Sequence, residues 1–157
     1  MGRPDKGGVR TTPKVGGGVV AVPPLPCNTE AMQLPDPVEV LVVDDQQPFR
    51  LASSDVVEAT NGFVLWGTAA SGPEAIASVR EVGNPPSLVL MDVNLGEVSG
   101  IESTRRMIEL WPEMRIVLVS TMAEYDLPAD ASTCGAQGYV PKSKLSPHVL
   151  TALVEQA

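Results

Sequence analysis

The sequence predicts an α/β protein: a five-stranded parallel sheet, doubly wound, with helices on both faces. Three observations predict it. Short apolar runs recur along the chain, at Val38 to Val43, Leu88 to Met91, Ile116 to Val119 and Tyr139 to Pro141. These runs are almost continuously apolar rather than alternating, the pattern of strands buried on both faces of a parallel sheet. Helical stretches bounded by Gly and Pro separate them, so strands and helices take turns.

The first strand is expected over Val38 to Val43. Pro48 suits the first turn of the helix that follows. Phe49, Ala52, Val56 and Ala59 give that helix an amphipathic face, and Asn61-Gly62 ends it. Phe63 to Thr68 is the second strand. Ser71-Gly72-Pro73-Glu74 is a capping box, with Ser71 as N-cap and Glu74 reaching back. Its helix carries Ala75, Ile76 and Val79 and stops at Gly83. Pro85-Pro86 breaks the chain before the third strand, Leu88 to Met91. A loop from Val93 to Ser99 leads to a helix from about Gly100 to Trp111-Pro112. The fourth strand is Arg115 to Val119. A short helix is expected near Pro128 to Cys134, with Pro128 in its first turn. The fifth strand is entered at Tyr139, and Leu145 to Glu155 forms the last helix.

The chain of 157 residues fits one domain with length to spare. Residues 1–36 are rich in Gly and Pro and have no period long enough to pack, so a disordered extension is expected there, with the domain over 37–157. Arg3, Lys6, Arg10 and Lys14 precede Val19-Val20-Ala21-Val22. That apolar stretch is too short for a secretory signal, and Pro23, Pro24 and Pro26 leave no cleavage site. Met32 is an alternative start. No stretch approaches the ~20 apolar residues of a membrane span. Cys27 and Cys134 have no metal or redox spacing and read as reduced thiols, and the expected location is cytoplasmic. The net charge of −8 disfavours direct DNA binding.

The chemistry lies at the ends of the apolar runs. The first ends in Asp44 and Asp45, the third strand in Asp92, the fourth in Ser120 and the fifth in Lys142. In an open parallel sheet these ends share one edge, where ligands bind. Two adjacent carboxylates repel each other unless a cation is near. Carboxylates with water ligands suit Mg²⁺. The Asp92 carboxylate could attack phosphorus. Lys142 would pair with one phosphoryl oxygen, and the Ser120 hydroxyl would donate to another. A solvated acidic turn is the plainer reading of Asp44-Asp45 taken alone.

Val42-Val43-Asp44-Asp45, Leu90-Met91-Asp92-Val93-Asn94-Leu95-Gly96-Glu97-Val98-Ser99-Gly100, Val117-Leu118-Val119-Ser120 and Gly135-Ala136-Gln137-Gly138-Tyr139-Val140-Pro141-Lys142 occur in that order. Together, from residue 38 to 157, they resemble receiver domains of two-component response regulators, which have a flavodoxin-like fold. The resemblance implies that Asp92 is the phosphoacceptor, supplied by a histidine kinase or phosphotransfer protein. It implies that Asp45, Asp92 and the Asn94 backbone carbonyl ligate Mg²⁺, with Asp44 holding a metal-bound water. Ser120 and Tyr139 would be the switch residues, Ser120 moving toward the phosphoryl group and Tyr139 turning inward behind it. Four positions depart from the common pattern. Gly96 stands where proline is frequent and Ser99 where aspartate is. Thr121 replaces a usual alanine beside the access to Asp92, and Ser143 follows Lys142 where proline is common.

On this reading the added phosphoryl charge biases a two-state element. The segment from Thr121 to Cys134 and the last helix then present a surface to a downstream protein. The expectation is a stand-alone signalling domain, not an enzyme, with homodimerisation left open. His148 reads as a surface histidine. Trp66 and Trp111 read as packing residues, and Glu97 and Glu124 as solvated acids. Two other classes compete: a receiver-like interaction module that works without phosphorylation, and a phosphohydrolase with an aspartyl nucleophile. The hydrolase would need a second acid two residues after Asp92, where Asn94 stands.

Overall fold

The computed structural model describes residues 36–155. The expected extension over 1–36, with Cys27 and Met32, lies outside the described residues except for Asp36. Five parallel strands run β1 (Val38–Val43), β2 (Phe63–Ala69), β3 (Leu88–Asp92), β4 (Arg115–Ser120) and β5 (Gly138–Pro141). Four α-helices connect or follow them: α1 (Gln47–Glu58), α2 (Gly72–Val82), α3 (Gly100–Leu110) and α4 (Pro147–Glu155). The sheet order is β2-β1-β3-β4-β5. The order reverses between β1 and β3, which creates a crevice at the carboxyl ends of those two strands.

The pleat sorts the core into two layers. Leu41, Val43, Val89, Met91, Ile116 and Leu118 pack with Ala75, Val79, Ile101 and Met107 of α2 and α3. Val40, Val42, Leu88, Leu90, Val117, Val119 and Val140 pack with Val57 of α1 and Leu150 of α4. Successive strand residues therefore serve opposite layers, and α1 with α4 covers one face while α2 with α3 covers the other.

The capping box of α2 forms. Ser71 Oγ accepts from the Glu74 amide at 3.1 Å, and Glu74 Oε1 accepts from the Ala70 amide at 2.9 Å. Gly83 ends α2 with φ of 79°, a left-handed conformation that glycine adopts without strain. Ser99 caps α3, accepting from the Glu102 amide at 3.1 Å. A serine is a strong N-cap, as an aspartate would be. Gly96 has φ of 67°, which a proline ring could not adopt, so this turn differs from one built on proline.

Three expectations need correction. The helix expected near Pro128 to Cys134 is a single 3₁₀ turn, Ala129–Ser132, with Pro128 as its N-cap, and another 3₁₀ turn, Glu124–Asp126, precedes it. Asp, Pro, Ser and Thr dominate this segment and favour local side chain to backbone bonds over helix; Ser132 Oγ and Thr133 Oγ1 both donate to backbone carbonyls three residues back. The last helix starts at Pro147, because Lys142–Lys144 forms a 3₁₀ turn and Ser146 Oγ accepts from the Val149 amide at 3.2 Å. The buried face of α1 keeps Phe49 and Val56 of the expected set, which pack into the layer shared with α4, but not the two alanines. Ser53 and Val57 are buried while Ala52 and Ala59 are exposed. A buried serine breaks the apolar period that the expectation relied on.

Candidate functional site

Register sets up the site. Val43 pairs with Met91, so the residues that follow, Asp44 just past β1 and Asp92 at the end of β3, emerge side by side at the crevice. Ser120 pairs with Pro141, which places Lys142 one residue beyond the end of β5. Asp44, Asp92 and Lys142 share the parity of the layer covered by α1 and α4. Ser120 and Tyr139 share the parity of the α2 and α3 layer. The charged cluster and the hydroxyl pair are thus separated by the pleat itself.

Asp44, Asp92 and Ser120 are buried, and Asp45 is exposed. One carboxylate oxygen from each of Asp44, Asp45 and Asp92 lies within 4.8 Å of the others. Lys142 Nζ is 2.7 Å from Asp44 Oδ2 and 3.4 Å from Asp92 Oδ2. The Asp44 contact is an ion pair without hydrogen-bond alignment, since Asp44 Oδ2 has no hydrogen-bond partner. Asp44 Oδ1 accepts from the Gln46 amide at 2.8 Å, and Asp92 Oδ1 accepts from the Asn94 amide at 3.3 Å. Burial pushes the Asp92 carboxyl up to about 6, and the charge of Asp44 adds to the rise. Lys142 and the Asn94 amide pull the other way.

Three clustered carboxylates against one lysine leave excess negative charge in a partly desolvated crevice. The donors are all oxygens, and one buried carboxylate oxygen lacks a hydrogen bond. This set fits a hard divalent cation such as Mg²⁺.

Ser120 Oγ accepts from the Met122 amide at 3.0 Å. The Tyr139 hydroxyl donates to the Ser120 carbonyl at 3.1 Å and also to the Met122 carbonyl. Both side chains therefore hold the backbone that leaves β4. Burial raises the Tyr139 hydroxyl above its ordinary value. Thr121 and Asn94 are exposed at the rim. His148 is exposed on the first turn of α4. Trp66 and Trp111 pack against the α2 and α3 layer, and Trp66 Nε1 donates to the Asn84 carbonyl at 3.0 Å.

Three residues at the site escape sequence reasoning. The Lys142 ammonium sits over the Phe49 ring, 4.3 Å from its centroid. Arg50 Nη1 donates to the Asp44 carbonyl at 2.6 Å. A Cβ on Gly100 would meet the Asp92 carbonyl oxygen at 1.9 Å, so only glycine lets α3 start this close to β3. Phe49 carries a partial signal, since it falls in the helix next to the acidic pair. Arg50 carries another: a cation in a first helical turn opposes the helix dipole and so needs a local anion or carbonyl.

Comparison with known proteins covers most of this chain. The family model described as the response regulator receiver domain matches residues 40–155. Response regulator GacA of Pseudomonas syringae is 34% identical over 105 residues, 67% of this chain and 48% of that protein. Response regulator UvrY of Escherichia coli K12 is 29% identical over 116 residues, 74% of this chain and 52% of that protein. The chain thus spans about half the length of the curated relatives it matches. A two-component response regulator of the LuxR family from Aurantimonas superposes with a TM-score of 0.67 at 28% identity, covering 77% of this chain and 84% of that one. The response regulator domain of Thermotoga maritima CheB shares the fold, with a TM-score of 0.66 at 23% identity over 76% of this chain and 95% of that one.

Proposed function

As the chain belongs to the response regulator receiver domain family, we propose that it accepts a phosphoryl group on Asp92 in a Mg²⁺-dependent reaction and thereby switches its binding to a downstream protein. The donor is a sensor histidine kinase or a phosphotransfer protein. The observation that carries this reading is the convergence of Asp44, Asp45, Asp92 and Lys142 at one crevice.

An Asp92 carboxylate oxygen attacks phosphorus. The bond from phosphorus to the donor breaks, and its electron pair leaves with the donor nitrogen, or with acetate when acetyl phosphate is used. The product is an aspartyl phosphate. Asp45, Asp92 and the Asn94 carbonyl would hold Mg²⁺, with Asp44 on a metal-bound water; the ion supplies positive charge opposite the phosphoryl oxygens. Lys142 gives up its contacts with Asp44 and Asp92 for a phosphoryl oxygen. Ser120 turns its hydroxyl from the Met122 amide to donate to another, and Tyr139 follows the segment it holds. The domain, residues 37–157, is a phosphoacceptor and not a turnover enzyme. Its effector surface lies on the segment from Thr121 to Cys134 and on α4. Among the described residues no helix is long and apolar enough to cross a membrane. The proposed setting is the cytoplasm, with protein partners rather than DNA.

Incubation with Mg²⁺ and acetyl phosphate, read by intact mass and phosphate-affinity gel, tests this. One added phosphoryl group, absent from Asp92→Asn, is expected. An unmodified wild type that also binds no Mg²⁺ would overturn it in favour of a phosphorylation-independent interaction module. Continuous release of product from small phosphoesters would point to a hydrolase.

A further inference from the structure

We propose that Phe49 is a positioning residue for Lys142, holding its ammonium between the carboxylates through the face of its ring. The inference rests on the phosphoacceptor reading of Asp92 given above.

The Lys142 ammonium has two kinds of neighbour. Asp44 Oδ2 lies at 2.7 Å and Asp92 Oδ2 at 3.4 Å. The Phe49 ring lies 4.3 Å away, measured to its centroid. The lysine side chain is only 9% exposed, so the ring replaces water that the ammonium would otherwise keep. An aromatic face attracts a cation through its quadrupole, most strongly when the pair is desolvated. This contact needs no lone pair and does not point the N–H groups. The ammonium can therefore exchange Asp44 for a phosphoryl oxygen without losing the ring. A lysine stem with four flexible carbons has no such guide of its own.

The ring is itself fixed to the acidic strand end. Phe49 packs into the α1 and α4 layer, which has the same parity as Asp44, Asp92 and Lys142. The next residue, Arg50, donates to the Asp44 carbonyl at 2.6 Å. The first turn of α1 thus joins β1 to the lysine beyond β5.

The test uses the full chain with Phe49→Leu, Phe49→Trp and Lys142→Ala. The first readout is the Lys142 ε-methylene resonance in lysine-labelled protein without any phosphoryl donor. It is expected upfield from ring current in the wild type and in Phe49→Trp, and at the ordinary position in Phe49→Leu. The second is phosphorylation by acetyl phosphate at saturating Mg²⁺. Phe49→Leu is expected to slow it about three- to tenfold, with Mg²⁺ affinity within about twofold and with recovery in Phe49→Trp. A third leaves packing nearly intact: the chain has two phenylalanines, Phe49 and Phe63, and biosynthetic fluorination of both weakens the ring quadrupole. The rate should fall stepwise with fluorine content.

An unshifted Lys142 resonance in the wild type overturns the inference whether or not any variant folds. So does a wild-type rate in Phe49→Leu while Lys142→Ala is slowed. Failure of the wild type to take a phosphoryl group overturns the phosphoacceptor reading instead, and the resonance still decides the Phe49 contact.

Discussion

Lys142 Nζ and Asp44 Oδ2, 2.7 Å apart, tie the end of β5 to the end of β1 across the two strands between them. Both side chains are almost wholly buried. Removing one partner of such a pair leaves an uncompensated charge that must be desolvated or neutralised. Lys142→Ala should therefore destabilise the metal-free protein by about 3 kcal/mol. Added Mg²⁺ should restore more stability to the variant than to the wild type, because the cation then replaces the Lys142 ammonium that faces the carboxylates. Urea unfolding with EDTA and with Mg²⁺ measures both effects. A variant as stable as the wild type in EDTA would mean that the pair contributes little in solution.

Burial pushes the Asp92 carboxyl up to about 6 in the folded chain, above the ordinary carboxylate value of 3.8. A raised folded value means that the folded state binds the proton more tightly. Its contribution to stability is present below about 4 and is lost as pH rises through 6. In EDTA, stability from this group should fall between those values. Asp92→Asn mimics the protonated form at every pH. It should be more stable than the wild type above pH 6, and this advantage should shrink toward pH 4. Mg²⁺ should bind more weakly as pH falls through 6, because protons compete for a ligand. Thermal melts from pH 4 to 8, with and without metal, check the sign. A larger Asp92→Asn advantage at pH 4 than at pH 8 would contradict it.

The strand ends were the legible part of this protein. Asp44, Asp92, Ser120 and Lys142 could be placed on one edge because a parallel sheet gives every strand the same exit side. The α2 cap was also legible, since Ser71 and Glu74 act within a few residues of each other. Relations that depend on which layer a side chain enters were not. The ring under Lys142 and the close approach of Gly100 to Asp92 require contacts between distant segments. Ser53 misled the α1 face because a buried hydroxyl looks like a solvent position. The segment from Pro128 to Cys134 read as a short helix, while Ser132 and Thr133 bond to their own backbone instead.

The Tyr139 hydroxyl donates to the carbonyls of Ser120 and Met122. Tyr139→Phe keeps the ring and removes the donor, leaving two carbonyls to find other partners. A cost of about 1 kcal/mol is expected. The effect should be local, with faster amide hydrogen exchange from Thr121 to Ala123 and unchanged exchange in β1 and α2. Uniformly faster exchange would show that the hydroxyl supports the whole fold rather than the exit of β4.

Gly100 and Ser99 offer a way to separate the stability of α3 from the placement of Asp92. Ser99 Oγ satisfies one amide at the helix start, at 3.1 Å from Glu102 N. Ser99→Ala should cost about 1 kcal/mol, as lost N-caps do, without moving β3. Gly100 is different. A methyl group there would overlap the Asp92 carbonyl oxygen at 1.9 Å and the Val93 Cα at 3.0 Å, both on the main chain. Neither atom can rotate away, so α3 or the end of β3 must shift. Gly100→Ala should therefore cost about 2–3 kcal/mol, as overpacking against backbone does. It should also weaken Mg²⁺ binding, because the strand end carrying Asp92 moves with its carbonyl. Ser99→Ala should leave Mg²⁺ affinity within about twofold, since a cap acts on its own helix. Calorimetric Mg²⁺ titrations of the two variants, beside their urea midpoints, give the comparison. Equal Mg²⁺ affinity in Gly100→Ala and wild type would show that α3, not β3, yields to the added methyl.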